Sequence, residues 1–201
     1  MRCLVICHPV PKDIKRLIKI EDSDYIIAVD QAVSDCYKQR IKMDLAVGDF
    51  DSLKNEALLK KLNVVRLNPV KDVTDTYQAL VEAHKKNPDD ILMIGGIGGS
   101  RIEHFMVHLM FFNEFPNLMI KNDDSTIRLL NPGSYRIKQD ERFVSLFAYP
   151  IAKISLRDFK YELDHYMLKT YDPLCVSNEI LKEEAIITVH DGKVIMVQSN
   201  K

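Results

Sequence analysis

The sequence predicts an α/β domain with a parallel sheet, followed by an antiparallel β-sandwich. Three observations carry that reading. Short, continuously apolar runs alternate with helical patterns up to about residue 124, as expected of a Rossmann-like three-layer fold whose sheet is covered on both faces. Two of those apolar runs end in acids, Asp30 and Asp49. Beyond residue 124 the runs become short and alternating, with turn signals between them. The expected domains are therefore 1–124 and 125–201.

Residues 2–8 read as a buried first strand, closed by Pro9 and Pro11. A helical face of Ile14, Leu17 and Ile18 predicts a helix over 13–20. A second buried strand spans 25–30, and a helix follows over 32–38. The strand over 44–48 runs into Gly48-Asp49-Phe50-Asp51-Ser52, and 54–62 is helical. A strand over 64–67 stops before Pro69. Tyr77, Leu80, Val81 and His84 lie at helical spacing within a helix over 75–86. A strand over 90–95 then precedes a helix over 103–114. In the second half, strands are expected at 125–130, 134–138, 143–149, 154–156, 161–163, 185–189 and 193–198. Asn131-Pro132-Gly133, Pro150, Pro173 and Asp191-Gly192 separate them, the last as a hairpin signal.

Composition narrows the function. Of 201 residues, 46% are hydrophobic, enough for a real core. Lys and Arg number 28 against 29 Asp and Glu, a formal charge of −1 that gives no general affinity for nucleic acid or acidic membranes. The four cysteines, Cys3, Cys7, Cys36 and Cys175, show no Cys-x-x-Cys pair, which favours buried thiols and a cytoplasmic setting. No signal peptide is expected, and no apolar stretch approaches the roughly 20 residues that cross a bilayer.

Three stretches carry chemistry. Asp49 and Asp51 stand at a strand's carboxyl end, where open α/β sheets meet their ligands. Two close carboxylates suit a hard cation such as Mg²⁺, although a polar turn capped by Asp51 or Ser52 would use the same residues. Lys71-Asp72-Val73-Thr74-Asp75 puts phosphate donors and metal acceptors at a helix N-terminus, where Thr74 or Asp72 would equally serve as a cap. Gly95-Gly96-Ile97-Gly98-Gly99-Ser100-Arg101-Ile102-Glu103-His104 lets backbone approach a polyphosphate, with Arg101 as a charged fork. It is neither a dinucleotide fingerprint nor a P-loop.

Together these stretches resemble the thiamine pyrophosphokinase family over nearly the whole chain. Gly48 to Ser52 match its Gly-Asp-Phe-Asp-Ser motif and Asp72 to Asp75 its Asp-x-Thr-Asp motif. Gly99 to His104 and His108 match in part a Gly-Gly-Arg-x-Asp-His motif with an Asn one turn later. Asn131-Pro132-Gly133, Ser145-Leu146-Phe147, Phe159 to Leu163 and Val176 to Glu179 follow in the family's order. The resemblance implies transfer of pyrophosphate from ATP to the thiamine hydroxyl with Mg²⁺, releasing AMP. It also implies a homodimer whose α/β domain and partner sandwich share each active site.

On that basis Asp49, Asp51 and Asp75 are expected to hold the metal, and Arg101 with Lys71 to neutralise phosphate oxygens. Thr74 and the backbone at Gly99 and Ser100 would donate to those oxygens. Asp30 and His104 would contact the nucleotide, and Ser177 and Asn178 the thiamine. Asp72 and Glu103 are the candidate proton acceptors. Departures from the pattern are Glu103 for Asp, His108 for Asn, Ser100 for Gly, Val29-Asp30-Gln31-Ala32 for Ala-Asp-Gly-Gly, and the absence of Trp. Two rival readings stay open: a thiamine- or nucleotide-binding relative without turnover, and an Asp-x-Asp phosphatase. The His104/His108 pair alone suggests zinc, but no third ligand lies nearby in sequence.

Overall fold

The computed structural model describes residues 1–68 and 73–200. The chain divides into two compact units, Met1–Asp123 and Asp124–Lys201. Among the described residues no helix is long and apolar enough to cross a membrane.

The first unit is a parallel sheet in the order β6-β5-β1-β2-β3-β4, where β1 is Arg2–Cys7, β2 Tyr25–Val29, β3 Leu45–Gly48, β4 Asn63–Arg66, β5 Asp90–Gly95 and β6 Leu118–Lys121. All of β1 but Arg2, all of β2 but Tyr25 and all of β3 are buried, as strands covered on both faces must be. Leu4, Ile6, Ile26, Ala28, Ala46, Leu92 and Ile94 face one side, in a core shared with Ala32, Val33 and Cys36 of helix α2 (Ala32–Lys38). On the other face, Ala79, Leu80 and Ala83 of helix α3 (Asp75–His84) are buried, and the Cys3 thiol donates to the Ala83 carbonyl at 3.7 Å. That makes three layers. The strand order reverses at β1: the chain builds β2, β3 and β4 on one side, then returns to place β5 and β6 on the other. The crevice at the carboxyl ends of β1, β2 and β5 is thus the switch point where such sheets hold ligands.

Four local readings change. Helix α1 is only Ile14–Leu17, because Asp13 caps it at the Arg16 N–H (3.1 Å) and Ile18 is already extended. The expected helix over 54–62 is a 3-10 segment, Glu56–Lys61, capped by Asn55. Strand β6 was not expected; four residues after Pro116 and Asn117 are too few to show a period. Helix α4 spans Ile102–Met110 and gives way to a 3-10 turn over Phe111–Asn113.

The second unit is antiparallel: β7 (Ser125–Leu130), β8 (Gly133–Lys138), β9 (Phe143–Arg157), β10 (Leu163–Lys169) and β11 (Glu184–Ser199), with β10, β9, β11 and β7 in order and β8 also on β11. Here the turn signals misled. Asp191-Gly192 is no hairpin: it lies inside β11, paired with Lys153 and Ala152 of β9, between two register shifts that bulge the strand. Gly192 has φ +75°, and a Cβ there would sit 2.0 Å from the Ile151 carbonyl oxygen, so the close approach of β9 demands a glycine. Pro150 also lies within β9: Ala148 pairs with Val194 and Ala152 with Gly192, and the residue without an N–H falls in the gap between them. The strand expected at 161–163 starts at Leu163 and runs on to Lys169 through its own bulge.

The bulge in β11 shifts its inward residues from 185, 187 and 189 to 194 and 196, while β9 keeps 144, 146, 148, 152, 154 and 156 inward. Both halves of both long strands therefore enclose one core. All four cysteines are buried and unpaired, and burial pushes the Cys7 and Cys36 thiols up to about 12.

Candidate active site

The site begins at the ends of β2 and β3. Phe50 is 1% exposed, in the left-handed region (φ +62°), with the Arg66 guanidinium 5.3 Å from its ring centroid. Pulling the middle residue of Asp49-Phe50-Asp51 into the core leaves the two flanking carboxylates outside it. The Asp51 N–H donates to Asp49 Oδ1 at 3.3 Å and Ser52 Oγ to Asp51 Oδ1 at 2.8 Å. Asp30, also left-handed (φ +47°), donates its N–H to the Val47 carbonyl at 2.9 Å. A Cβ on Gly48 would lie 3.1 Å from the Asp30 Cα, so this glycine lets β3 end tight against Asp30.

Asp30, Asp49 and Asp51 consequently offer oxygens that all lie within 4.8 Å of one another. Burial pushes the Asp30 carboxyl above the ordinary carboxylate range, the Gln31 N–H opposes it, and the charges of Asp75, Asp49 and Asp51 raise it further. Asp30 Oδ1 is buried without a hydrogen-bond partner among the described residues. A hard dication answers all three features: crowded like charges, oxygen donors, and an acceptor with nothing to accept.

The sequence grouped Asp75, not Asp30, with Asp49 and Asp51. The structure keeps Asp75 beside the group, at the first turn of α3, close enough to oppose ionisation of Asp30. Thr74 caps that helix, its Oγ1 accepting from the Tyr77 N–H at 3.1 Å. Lys71 and Asp72 lie outside the described residues.

Next to the acids is a cleft of about 320 Å³, lined among others by His8, Asp30, Thr74, Asp75, Gly99 and Arg101. Gly96, Gly98 and Gly99 all have positive φ, and the Gly96 N–H is held by the Cys7 and Pro9 carbonyls at 3.2 and 3.1 Å. Ser100, His104 and His108 also line the cleft. Arg101 stands exposed at the rim, its Nε 3.4 Å from Glu103 Oε1. Glu103 is exposed too and does not line the cleft; its own N–H and then Arg101 hold its carboxyl below the usual range. The zinc reading of His104 and His108 finds no support, since the metal-competent group among the described residues is the aspartate triplet.

In the second unit, Ser177 is exposed, in the left-handed region (φ +56°), with its N–H donated to Ser145 Oγ at 2.9 Å. Asn178 is 5% exposed and its amide is spent on backbone. Oδ1 accepts from the Tyr161 and Glu179 N–H groups at 3.1 and 3.0 Å, and Nδ2 donates to the Tyr161 carbonyl at 2.8 Å. Sequence reasoning missed this bracing role, and nothing in the local pattern signals it.

Acids from two strand ends, a capped helix mouth and a glycine loop at the switch point define a phosphate-handling α/β protein. Comparison with known proteins narrows the class. The model of the thiamin pyrophosphokinase catalytic domain matches residues 17–122, and that of the thiamin pyrophosphokinase vitamin B1 binding domain residues 134–194. The thiamine pyrophosphokinase of Bacillus subtilis (strain 168) is 33% identical over 168 residues, 77% of each chain. The crystal structures of the Bacillus subtilis enzyme and of a thiamin pyrophosphokinase family protein from Enterococcus faecalis superpose with TM-scores of 0.85 and 0.88. Their identities are 25% and 27%, over 100% of both chains in each pair. This chain belongs to the thiamine pyrophosphokinase family, whose activity is transfer of pyrophosphate from ATP to thiamine.

Proposed function

We propose that Asp30, Asp49 and Asp51 hold a Mg²⁺ ion against the polyphosphate of ATP while thiamine attacks the β-phosphorus. The observation that carries this is the convergence of three carboxylates, one with an orphaned buried oxygen, at the switch point of the sheet. When bound, the ion supplies charge neutralisation for the phosphate oxygens and for the leaving AMP.

The chain's own residues do the rest. Asp75 adds a negative charge that strengthens cation binding beside the triplet. Arg101, held only at 3.4 Å by an exposed Glu103, exchanges that partner for a phosphate oxygen. Lys71 adds a second positive charge, and the Thr74 hydroxyl and the Gly99 and Ser100 N–H groups donate to the phosphates. His104 lines the nucleotide side of the cleft. The proton of the thiamine hydroxyl passes to Asp72 or Glu103, and Glu103 reaches it only after releasing Arg101. Such a reaction needs alignment and charge neutralisation, not a covalent intermediate.

Ser177 serves thiamine directly, whereas Asn178 shapes the same loop through the backbone of Tyr161 and Glu179. Two copies of the chain form a homodimer in which the first unit of one and the second unit of the other share each site, in the cytoplasm. Incubation with ATP, Mg²⁺ and thiamine tests the reading. It predicts AMP and thiamine diphosphate in equal amounts. Binding without turnover, or phosphate released from a simple phosphomonoester, would support the rival readings instead.

A further inference from the structure

Helix α4 buries a polar residue. Ile102, Met106 and Met110 are 58%, 51% and 53% exposed, Phe105 and Leu109 are half-buried, and the one residue in the buried class is His108. An imidazole taken out of water costs free energy unless it is hydrogen-bonded. His108 is: its Nδ1 lies 3.0 Å from the Gly96 carbonyl oxygen, twelve residues back in the glycine loop. A carbonyl can only accept, so Nδ1 carries the proton and Nε2 is left as an acceptor. Burial holds the ring below the ordinary histidine range, against the Gly96 bond and with help from His104, so the neutral form persists at neutral pH.

The loop is shaped around this ring. Gly96 has φ +68°, and a Cβ there would meet His108 Cε1 at 3.0 Å and Nδ1 at 3.2 Å. The Gly96 N–H is already tied to the start of the chain through Cys7 and Pro9. The imidazole fixes the other end of the same residue. A carbonyl oxygen released toward the cleft would point a negative dipole at an incoming polyphosphate; one engaged by an N–H does not.

We propose that His108 is a positioning residue for nucleotide binding: it captures the Gly96 carbonyl and so sets the glycine loop with its N–H groups available to the phosphates. The inference rests on the phosphate-binding role given to that loop above. An Asn at this position would keep the bond, because its Nδ2–H occupies nearly the position of a His Nδ1–H. A Gln places its N–H where Nε2 stands and cannot reach.

The test compares His108→Asn, His108→Gln and His108→Phe. Affinity for Mg²⁺ with α,β-methylene ATP is read by calorimetry, and KM for ATP and thiamine and kcat by steady-state assay. We expect His108→Asn within about twofold of wild type. His108→Gln and His108→Phe should lose roughly tenfold in nucleotide affinity and raise KM for ATP roughly tenfold, the scale of one lost hydrogen bond, with KM for thiamine unmoved. Should His108→Phe not fold, the Asn–Gln contrast decides alone. Equal losses in Asn and Gln, or an unchanged nucleotide affinity in Gln, overturn the proposal while leaving the phosphate role intact. Wild type that fails to bind the analogue removes that role as well.

Discussion

The two units use punctuation residues in opposite ways. In the first, Gly48 and Gly95 end strands β3 and β5, and Gly96, Gly98 and Gly99 follow at the sheet's carboxyl edge, beside the cleft. In the second, Gly192 and Pro150 fall inside strands of 16 and 15 residues and bend them around a core. The same residue types that mark a site in one unit mark only architecture in the other. The contrast is widest between Gly98, with nothing within 4 Å of its missing Cβ, and Gly192, with backbone at 2.0 Å; Gly95 and Gly48, at strand ends, meet backbone at 2.3 and 3.1 Å.

The sharpest way to break the comparison is at the acids. Asp49→Asn or Asp51→Asn should lower transfer by on the order of a thousandfold, the several kcal/mol that a lost metal ion is worth. The thermal midpoint should hold or rise, because a repelling charge has gone. Transfer retained within tenfold in both variants would show that the strand end carries no site.

Mixing comes next in size. Asp49→Asn and Ser177→Ala, each weakened alone, should recover activity when their subunits are exchanged, up to about a quarter of the wild-type level for random dimers with one intact site in half the population. No recovery after verified exchange, or a monomer of full activity by light scattering, would contradict the shared site.

Glycine replacement puts the contrast itself on a scale. Gly192→Ala should cost about 2–4 kcal/mol in chemical denaturation, since φ +75° and the Ile151 carbonyl both oppose a methyl group. Gly98→Ala should cost only about 1 kcal/mol, from its left-handed backbone alone, and show its effect in KM for ATP. Equal costs would erase the distinction between site glycine and core glycine.

A modest effect lies away from both. Arg2 bonds the buried Asp24 at 2.6 and 3.0 Å. Burial raises the Asp24 carboxyl, but Arg2 and the Glu21 N–H outweigh it, and the net shift is downward. A lowered carboxyl stabilises the fold above its unfolded pKa and loses that contribution as pH falls through the folded one. Arg2→Gln should therefore cost about 1–2 kcal/mol at neutral pH, a gap that narrows in acid. A gap that widens in acid would reverse the sign.

Legibility followed the same divide. Strands β1, β2, β3 and β5 were readable because burial on both faces makes them unbroken apolar runs, and the Asp49-Phe50-Asp51 junction because acids so rarely interrupt one. Asp30 was visible as a strand-ending acid, but its place with Asp49 and Asp51 depends on β2 and β3 pairing in register, with Val29 opposite Val47. The capture of Gly96 by His108 joins loop to helix across twelve residues and leaves no local trace. In the second unit, Asp191-Gly192 reads as a hairpin on any local rule. Only the partner strand, close beside it, turns it into a bend.

A crystal structure with Mg²⁺, thiamine and α,β-methylene ATP tests the central claim most directly. The expected result is an ion bounded by Asp30, Asp49 and Asp51 with the nucleotide phosphates beside it. Nucleotide bound elsewhere, or bound in the cleft with no ion among those three carboxylates, would contradict it.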